Sequence, residues 1–422
     1  MDAEDRARMA LQAPAAAKEN ICSNAAGAGI YLQNSSAALK KMRSLFVRLI
    51  NPIPITDPVE ISSDELSLAR ELAFKHKVFP LVYSRIQSRQ NFFYPARVVD
   101  EFLGQNRNLY LKGVALSAKM EGLEKEVSSL LASEGIPSVV IRGNAIAEEL
   151  YGDPNSRTSS DIDILIKISD ALHADQLLSD AGFHRNDSIP LKFWFYRIHH
   201  AVYHCPRTDN LIEIHWNFGI PSFFRLSSEE IWEGVITADS SRLRLSPEMS
   251  MLMLLIHHHM HSFRELKILA DIIWSFHKYE DNIDWDSFYR KLSKAGLIKT
   301  ALITISQIRS VWDEDIHDLK GLDLLYHKLQ KNHRAGHILK SFFEMDLNKE
   351  YRFQHARDTL MARFALDGLS TIIRSYSKML FPSPEVIKEL YENKASWSLP
   401  MNYLKFIRWR VKSWRNTHTS EV

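Results

Sequence analysis

Apolar and polar positions follow two different spacings along this chain, and the changes between these spacings divide the chain into three parts. From about Pro95 to Ser133 apolar residues recur at helical spacing, which predicts one long helix. Near Gly135 the pattern changes to short apolar runs bounded by glycine and turn residues, which is typical of strands. From about Ser246 onward the helical spacing returns. The pattern therefore predicts a compact α/β core between two helical regions.

Three runs in the central part predict strands and two predict helices. The strands are IPSVVIRG (136–143), DIDILIKI (161–168) and LIEIHW (211–216). The helices are NAIAEELYG (144–152), with Asn144 as its cap, and SDALHADQLLSDAG (169–182), with a serine cap. The segment PRTDN (206–210) has turn chemistry, so LIEIHW is expected to form one arm of a hairpin.

We therefore expect an α+β (mixed) fold, in which a small mixed β-sheet is flanked by N-terminal and C-terminal helical regions. The proposed parts are a poorly ordered leader (1–40), an N-terminal helical region (41–135), the α/β core (136–245) and a C-terminal helical domain with a basic tail (246–422).

Composition narrows the class of protein. Hydrophobic residues make up 45% of the chain, enough to bury real cores, and a formal net charge of +2 does not produce the field of a general nucleic-acid binder. With only two cysteines, Cys22 and Cys205, neither a disulfide framework nor a cysteine-based zinc site is expected. That count suits a reducing compartment, so we expect a cytoplasmic protein. No apolar stretch approaches the roughly 20 residues that span a bilayer.

Two aspartates stand one residue apart at the start of a predicted strand. Side chains at positions i and i+2 share one face of a strand, so Asp161 and Asp163 point the same way. Neighbouring like charges are costly unless a cation answers them, and carboxylate oxygens are the ligands that Mg²⁺ prefers. Glu213 would join them if its strand pairs beside theirs in register. Three carboxylates around two magnesium ions are a recurring arrangement for moving a nucleotidyl or phosphoryl group.

A candidate anion site precedes these acids. Arg142, Gly143 and Asn144 stand where a predicted strand ends and a predicted helix begins. Glycine lets the backbone approach a ligand closely, and free N–H groups at a helix N-terminus favour an anion. Each feature alone is compatible with an ordinary turn, cap or solvated acid. Their order along the chain favours a triphosphate cradle followed by an acidic strand.

The stretch IRGNAIAEELYGDPNSRTSSDIDILI, followed later by IEIHW, resembles the uncharacterised nucleotidyltransferase family of the DNA polymerase β superfamily. That family has a Lys-Gly pair at the first strand end, a Y-G-D-P…R…S-D-I-D-L-L-V segment and a later V-E-L-H-W. Here Arg142 replaces the lysine of the pair, which keeps the positive charge but changes its reach and geometry. The resemblance is tightest over 136–218 and looser through 71–86 and 256–272.

The resemblance implies an enzyme that moves a nucleoside monophosphate from an NTP to an acceptor hydroxyl and releases pyrophosphate. It implies Mg²⁺, with Mn²⁺ as the alternative ion, bound by three catalytic acids, Asp161, Asp163 and Glu213. It also implies nucleotide contacts at Gly143 and Asn144, with Arg142 and Arg157 as further contacts. Because the chain lacks a strong basic field, we expect a small-molecule, glycan or protein acceptor.

Two alternatives stay open at this point. Metal-dependent glycosyltransferases also use Asp-x-Asp, although there the acids typically follow an apolar strand, whereas here the apolar run comes after Asp161. A catalytically inactive nucleotide-binding or scaffold module could also keep all three acids. UDP-sugar transfer would indicate the first alternative, and NTP binding without product the second.

Histidines and a basic tail add further hypotheses. In HHHMH (257–261), His257 and His261 share a helix face, but no glutamate completes a zinc-protease motif, so packing is favoured over ligand contact. Asp271 is expected to make a polar contact between a helix and the core. The tail LKFIRWRVKSWRN (404–416) is either an amphipathic helix or a contact for an acidic partner.

A second group of histidines lies in an aromatic stretch before the PRTDN turn. His199, His200 and His204 follow Phe193 and Phe195 closely in the sequence. This stretch predicts either a hairpin core with exposed histidines or a wall that binds the acceptor. We favour the hairpin.

Overall fold

The N-terminal helical region consists of four helices and a short strand pair. The computed structural model describes residues 37–186, 191–193, 195, 198–238, 242–312, 316, 319–332, 345, 347, 362–381, 384–390 and 399–408. The first elements are α1 (Ala37–Ile50), β1 (Val59–Glu60), α2 (Ser63–Lys75), α3 (Phe79–Ser88), β2 (Phe93–Tyr94) and α4 (Ala96–Ser133). The bounds of α4 confirm the long helix that apolar spacing predicted. The proposed leader lies outside the described residues up to position 36.

The central part contains a five-stranded mixed sheet. Its elements are β3 (Ser138–Val140), α5 (Asn144–Tyr151), β4 (Asp161–Ile166), α6 (Ala171–Asp180), β5 (His184–Arg185), β6 (His200–Cys205) and β7 (Asn210–His215). The strand order is β3-β4-β7-β6-β5; β4 and β7 are parallel, and the other neighbours are antiparallel. A helix, α7 (Ser228–Glu233), and a hairpin of β8 (Val235–Thr237) and β9 (Leu243–Leu245) follow. The predicted α+β fold is confirmed.

Two predicted helix caps are wrong. Gly143, not Asn144, is the N-cap of α5, and the Asn144 amide Nδ2 instead donates to the Ser117 carbonyl at 3.0 Å. The N-cap of α6 is Asp170 rather than a serine, because a 3₁₀ turn over Ile168–Asp170 precedes the helix. The cap of α5 therefore lies one residue earlier than predicted, and the cap of α6 lies one residue later than the predicted Ser169.

The C-terminal region is helical. Its elements are α8 (Pro247–Met260), α9 (Leu266–Lys278), α10 (Trp285–Ala295), α11 (Ile298–Trp312), α12 (Lys320–Asn332), α13 (Leu369–Leu380) and α14 (Pro384–Leu390), and residues 399–408 are helical. One long apolar pattern to about Tyr279 is divided into α8 and α9, because Ser262 and Phe263 have positive φ, which a right-handed helix cannot accommodate. Tail residues after 408 lie outside the described part.

In the described part of the chain, two large hydrophobic clusters hold these layers together. One face of the sheet packs its isoleucines, among them Ile164 and Ile214, against α4 and α6. The other cluster joins helices from both flanks of the sheet: the Trp274 indole donates to the Ile50 carbonyl at 3.0 Å and the Trp312 indole to the Val47 carbonyl at 3.1 Å.

The domain boundaries stay predictions. Among the described residues, no helix has the length and apolarity that a membrane crossing requires.

Candidate active site

The three predicted acids lie on one face of the sheet. β4 and β7 pair so that Asp163 stands directly beside Glu213, and Asp161 shares the face of Asp163 by strand alternation. Ligand atoms of Asp163, Glu213 and His215 lie within 4.8 Å of one another. Asp163 is 2% exposed and Glu213 is 7% exposed, whereas Asp161 is half-buried and accepts a hydrogen bond from the Ser159 hydroxyl at 3.0 Å. The register that brings Glu213 beside the aspartates is therefore present.

Arg142 supplies a positive charge beside Asp163 and Glu213. Its guanidinium Nη2 forms an ion pair with Asp163 Oδ1 and lies 3.4 Å from Glu213 Oε2. On its other side, Nη1 lies 2.6 Å from His257 Nδ1 on α8. Arg142 thus connects the acidic face of the sheet to the C-terminal helices. Its proximity to both carboxylates offsets the cost of placing two like charges side by side.

Burial and neighbouring charges move the pKa values of the two central acids in opposite directions. Burial raises the pKa of Asp163, and the negative charges of Asp161 and Glu213 act in the same direction. For Glu213 burial acts the same way, but His200, a hydrogen bond with His215 and the charge of Arg142 outweigh it and hold the pKa well below its usual range. Of these two acids, Glu213 therefore keeps its charge more firmly.

The Gly143 turn has a conformation that favours glycine. Its φ of +75° and ψ of −135° belong to a region that side chains with a Cβ rarely adopt. A Cβ there would lie 3.7 Å from Ser159 Cβ, an ordinary contact, so backbone geometry rather than crowding favours glycine. The turn opens the N-terminus of α5, where free N–H groups favour an anion.

Arg157 is turned towards the C-terminal helices. Its Nε donates to Asp271 Oδ2 on α9 at 3.0 Å, both side chains are buried, and the Tyr151 hydroxyl donates to the other oxygen of Asp271 at 2.6 Å. The expected polar contact of Asp271 is confirmed. Contact of Arg157 with a nucleotide stays a prediction.

The histidines at the end of α8 make two kinds of contact. His258 bonds Gln307 and His259 bonds Thr300, both at 2.8 Å in the helical core, as the packing interpretation predicted. His257 instead faces Arg142, and its ring packs against that of His261 at a centroid distance of 4.3 Å. The predicted shared face of His257 and His261 is confirmed.

Two features of the site were not predicted. Hairpin register places His200 opposite His215, so His199, His200 and His215 form a cluster beside the acids. The short PRTDN turn carried that information, because turn length fixes which residues pair. Lys267 on α9 lies four residues before Asp271, and its charge interacts with that of Asp161. Burial, together with the charge of Arg157, lowers the pKa of Lys267 to about 8.

Two of the three clustered histidines, His199 and His200, favour the neutral form. Burial also disfavours the charged form of His215, but its hydrogen bonds with Asp163 and Glu213 outweigh burial and raise its pKa. Burial lowers the pKa of His199 well below its usual range and that of His200 to about 4, and the neighbouring imidazoles act in the same direction. His204, by contrast, lies at the far end of β6 and contacts Asp209 at 2.7 Å. The aromatic stretch therefore does include a hairpin, but two of its three histidines face the acids.

A mixed sheet that presents three acids beside a glycine turn defines a candidate phosphate-transfer enzyme. Residues 62–313, well over half of the chain, match the family described as uncharacterised nucleotidyltransferases, and the chain belongs to this family. It is therefore an enzyme of the nucleotidyltransferase class. The match extends from α2 to just beyond α11, and so includes helices on both sides of the sheet. No curated protein and no solved structure matches the chain.

Proposed function

We propose that this nucleotidyltransferase transfers a nucleoside monophosphate from an NTP to an acceptor hydroxyl with the help of Mg²⁺ or Mn²⁺, in the manner of the DNA polymerase β superfamily. The observation that carries the proposal is the pairing of Asp163 with Glu213 on adjacent strands, with Asp161 on the same face. The acceptor is a small molecule, a glycan or a protein.

The donor set of this face suits a divalent, oxygen-seeking ion. Asp161 and Asp163 would hold the ions, and Glu213 would add a third carboxylate ligand. When bound, the ions would neutralise the triphosphate and favour the deprotonated form of the acceptor hydroxyl. Because Arg142 pairs with the same carboxylates, it would have to yield to the ions.

Groups around the acids account for substrate binding. Backbone N–H groups at the Gly143 turn and the start of α5 would bind the triphosphate, with Asn144 beside them. Arg142, displaced from the acids, would turn its guanidinium towards the phosphates. Lys267 would approach them from α9. The acceptor oxygen would then bond to the α-phosphorus while the bond to the pyrophosphate oxygen breaks, and the acceptor proton passes to solvent.

One observation favours a second candidate, an inactive nucleotide-binding module. Arg142 already neutralises Asp163 and Glu213, which is an arrangement that a module without turnover can keep. The two candidates agree on NTP binding and differ on transfer. Release of pyrophosphate from the NTP distinguishes them, whereas the fold does not.

Isothermal titration with each of the four NTPs, with and without Mg²⁺, tests the proposal. We expect Mg²⁺-dependent binding of at least one NTP, lost in the Asp161→Asn/Asp163→Asn double variant and kept in Asp180→Asn, whose side chain is exposed on α6. The preferred NTP would then be offered with acceptors from each class while pyrophosphate release is measured. Equal binding in the double variant contradicts the metal site, and binding without pyrophosphate release favours the inactive module.

A further inference from the structure

The three clustered histidines form a second group of metal-ligating side chains beside the acids. One ring nitrogen from each of His199, His200 and His215 lies within 4.8 Å of those of the other two. The ring centroids are 4.4 Å apart for His199 and His200, 4.9 Å for His200 and His215, and 5.6 Å for His199 and His215. The acidic face therefore continues directly into a nitrogen-rich one.

Each of these rings carries a buried nitrogen that no hydrogen bond satisfies. Among the described residues, Nδ1 of His199, of His200 and of His215 is buried without a hydrogen-bond partner. A buried polar atom without a partner is costly, and most such atoms in folded proteins are paired. Three neighbouring exceptions of the same chemical type point to a common ligand that binds nitrogen.

The hydrogen bonds of His215 leave its Nδ1 suited to a metal. Its Nε2 lies 3.0 Å from Asp163 Oδ1 and 3.3 Å from Glu213 Oε2, and two carboxylates favour a proton on that nitrogen, although Arg142 Nη2 also lies 3.1 Å away. A proton on Nε2 leaves the lone pair on Nδ1. Histidine ligands commonly bond a carboxylate through the second ring nitrogen, which fixes the tautomer and makes the ligand more basic.

The backbone already holds the cluster in place. The His199 carbonyl accepts hydrogen bonds from the Trp216 and Asn217 amides at 2.9 and 3.3 Å, and His200 pairs with His215 across the antiparallel strands. Nitrogens on one tetrahedral zinc ion stand roughly 3.3 Å apart, given Zn–N distances of about 2.0–2.1 Å. Rings whose nitrogens lie within 4.8 Å would therefore approach by about 1.5 Å at most.

We propose that His199, His200 and His215 bind a nitrogen-seeking divalent transition ion of the Zn²⁺ type, separate from the ions held by the three acids. Imidazole suits Zn²⁺ and Co²⁺, whereas Mg²⁺ takes oxygen ligands, so the two sites select different ions. Three protein ligands leave a fourth position for water. Glu213 and Asp163 stand behind His215, so an ion here orients the imidazole that contacts both acids.

Zinc titration of the metal-stripped full chain tests this site. We expect one Zn²⁺ to bind and its affinity to fall by at least about tenfold in His199→Ala and in His200→Ala, because loss of even an outer-shell partner commonly costs that much. His204→Ala, on the same strand but contacting Asp209, is the matched control and should bind as the parent does. Unchanged affinity in both test variants, or no binding by the parent chain, would overturn the proposal.

The competing location for the ion is the group of Asp163, Glu213 and His215, which supplies one imidazole instead of three. X-ray absorption of the zinc-loaded parent chain counts imidazole ligands and needs no variant, so it decides even if a histidine variant fails to fold. Three imidazoles support the proposal, and one imidazole with carboxylate oxygens overturns it. Since NTP binding at the acids is measured separately with Mg²⁺, failure of the zinc site leaves the proposed transfer reaction untouched.

Discussion

The two faces of the central sheet are built from alternate residues of the same strands, yet they differ in almost every physical respect. On one face Ile162, Ile164 and Ile214 pack against α4 and α6, where each is at most 4% exposed. On the other face Asp163 and Glu213 are nearly as deeply buried, but among charges and imidazoles. Burial alone therefore does not distinguish the faces.

What distinguishes them is how each side chain is satisfied. The isoleucines need only apolar neighbours, which any close-packed helix pair supplies. The acids need specific partners, and Arg142 and His215 supply charge and hydrogen bonds at fixed distances. A buried polar network whose members depend on one another is sensitive to each deletion. The polar face therefore has the larger functional consequences when it is changed, and the apolar face the larger consequences for folding alone.

The largest effect is expected from Glu213→Gln on the polar face. Glutamine keeps the size of the side chain but removes the carboxylate that stays charged, so ion binding and transfer should both suffer. We expect transfer to fall at least about 10³-fold, equivalent to roughly 4 kcal/mol in the barrier. Pyrophosphate release with the acceptor found by screening measures it.

The matched control for this variant is Glu121→Gln, an exposed residue on α4 that pairs with Lys125. It should leave transfer unchanged. Both variants should retain the parent far-ultraviolet circular dichroism. A Glu213→Gln protein that transfers at the parent rate would show that the register of β4 and β7 has no catalytic meaning.

Ile164→Ala tests the apolar face of the sheet. Ile164 is fully buried, and truncation leaves a cavity between the sheet and α4, so the free energy of unfolding should fall by about 2–5 kcal/mol. The acids on the opposite face keep their partners, so transfer per folded molecule should stay close to that of the parent. Urea unfolding with transfer measured below the transition checks both.

Ile164→Val, which removes one methyl group, should cost only about 0.5–1.5 kcal/mol. If Ile164→Ala abolished transfer in fully folded protein, the two faces would be coupled more tightly than strand alternation implies.

Alternation explains why so much of this sheet was predictable from the sequence. A period of two assigns every residue of DIDILI and LIEIH to a face before any partner is known, and one register then brings Asp163 beside Glu213. The break between α8 and α9 was not predictable, because the apolar pattern runs through it and the positive φ of Ser262 leaves no mark in that pattern.

The contacts between the helices and the sheet could not be predicted from the sequence either. Arg142 was expected to serve a nucleotide, but its pairing with Asp163 depends on where β4 lies, and its contact with His257 depends on how α8 packs. Sequence spacing determines which residues share one element's face. It does not determine which face of a distant element meets them, and Lys267 went unnoticed for that reason.

The smallest expected effect concerns Lys267, and it tests whether α9 contributes to NTP binding on the polar face. With a pKa of about 8 in the free protein, this lysine is charged below that value and neutral above it. NTP affinity should therefore weaken between pH 7 and pH 9 by up to about tenfold, following the loss of the charged form. Lys267→Arg should flatten the profile because arginine stays charged, and Lys267→Met should flatten it at the weaker level. Titration of the preferred NTP across this range, with Mg²⁺ held constant, decides the matter: a parent-like slope in Lys267→Met would assign the pH dependence to another group and remove α9 from the binding of the triphosphate.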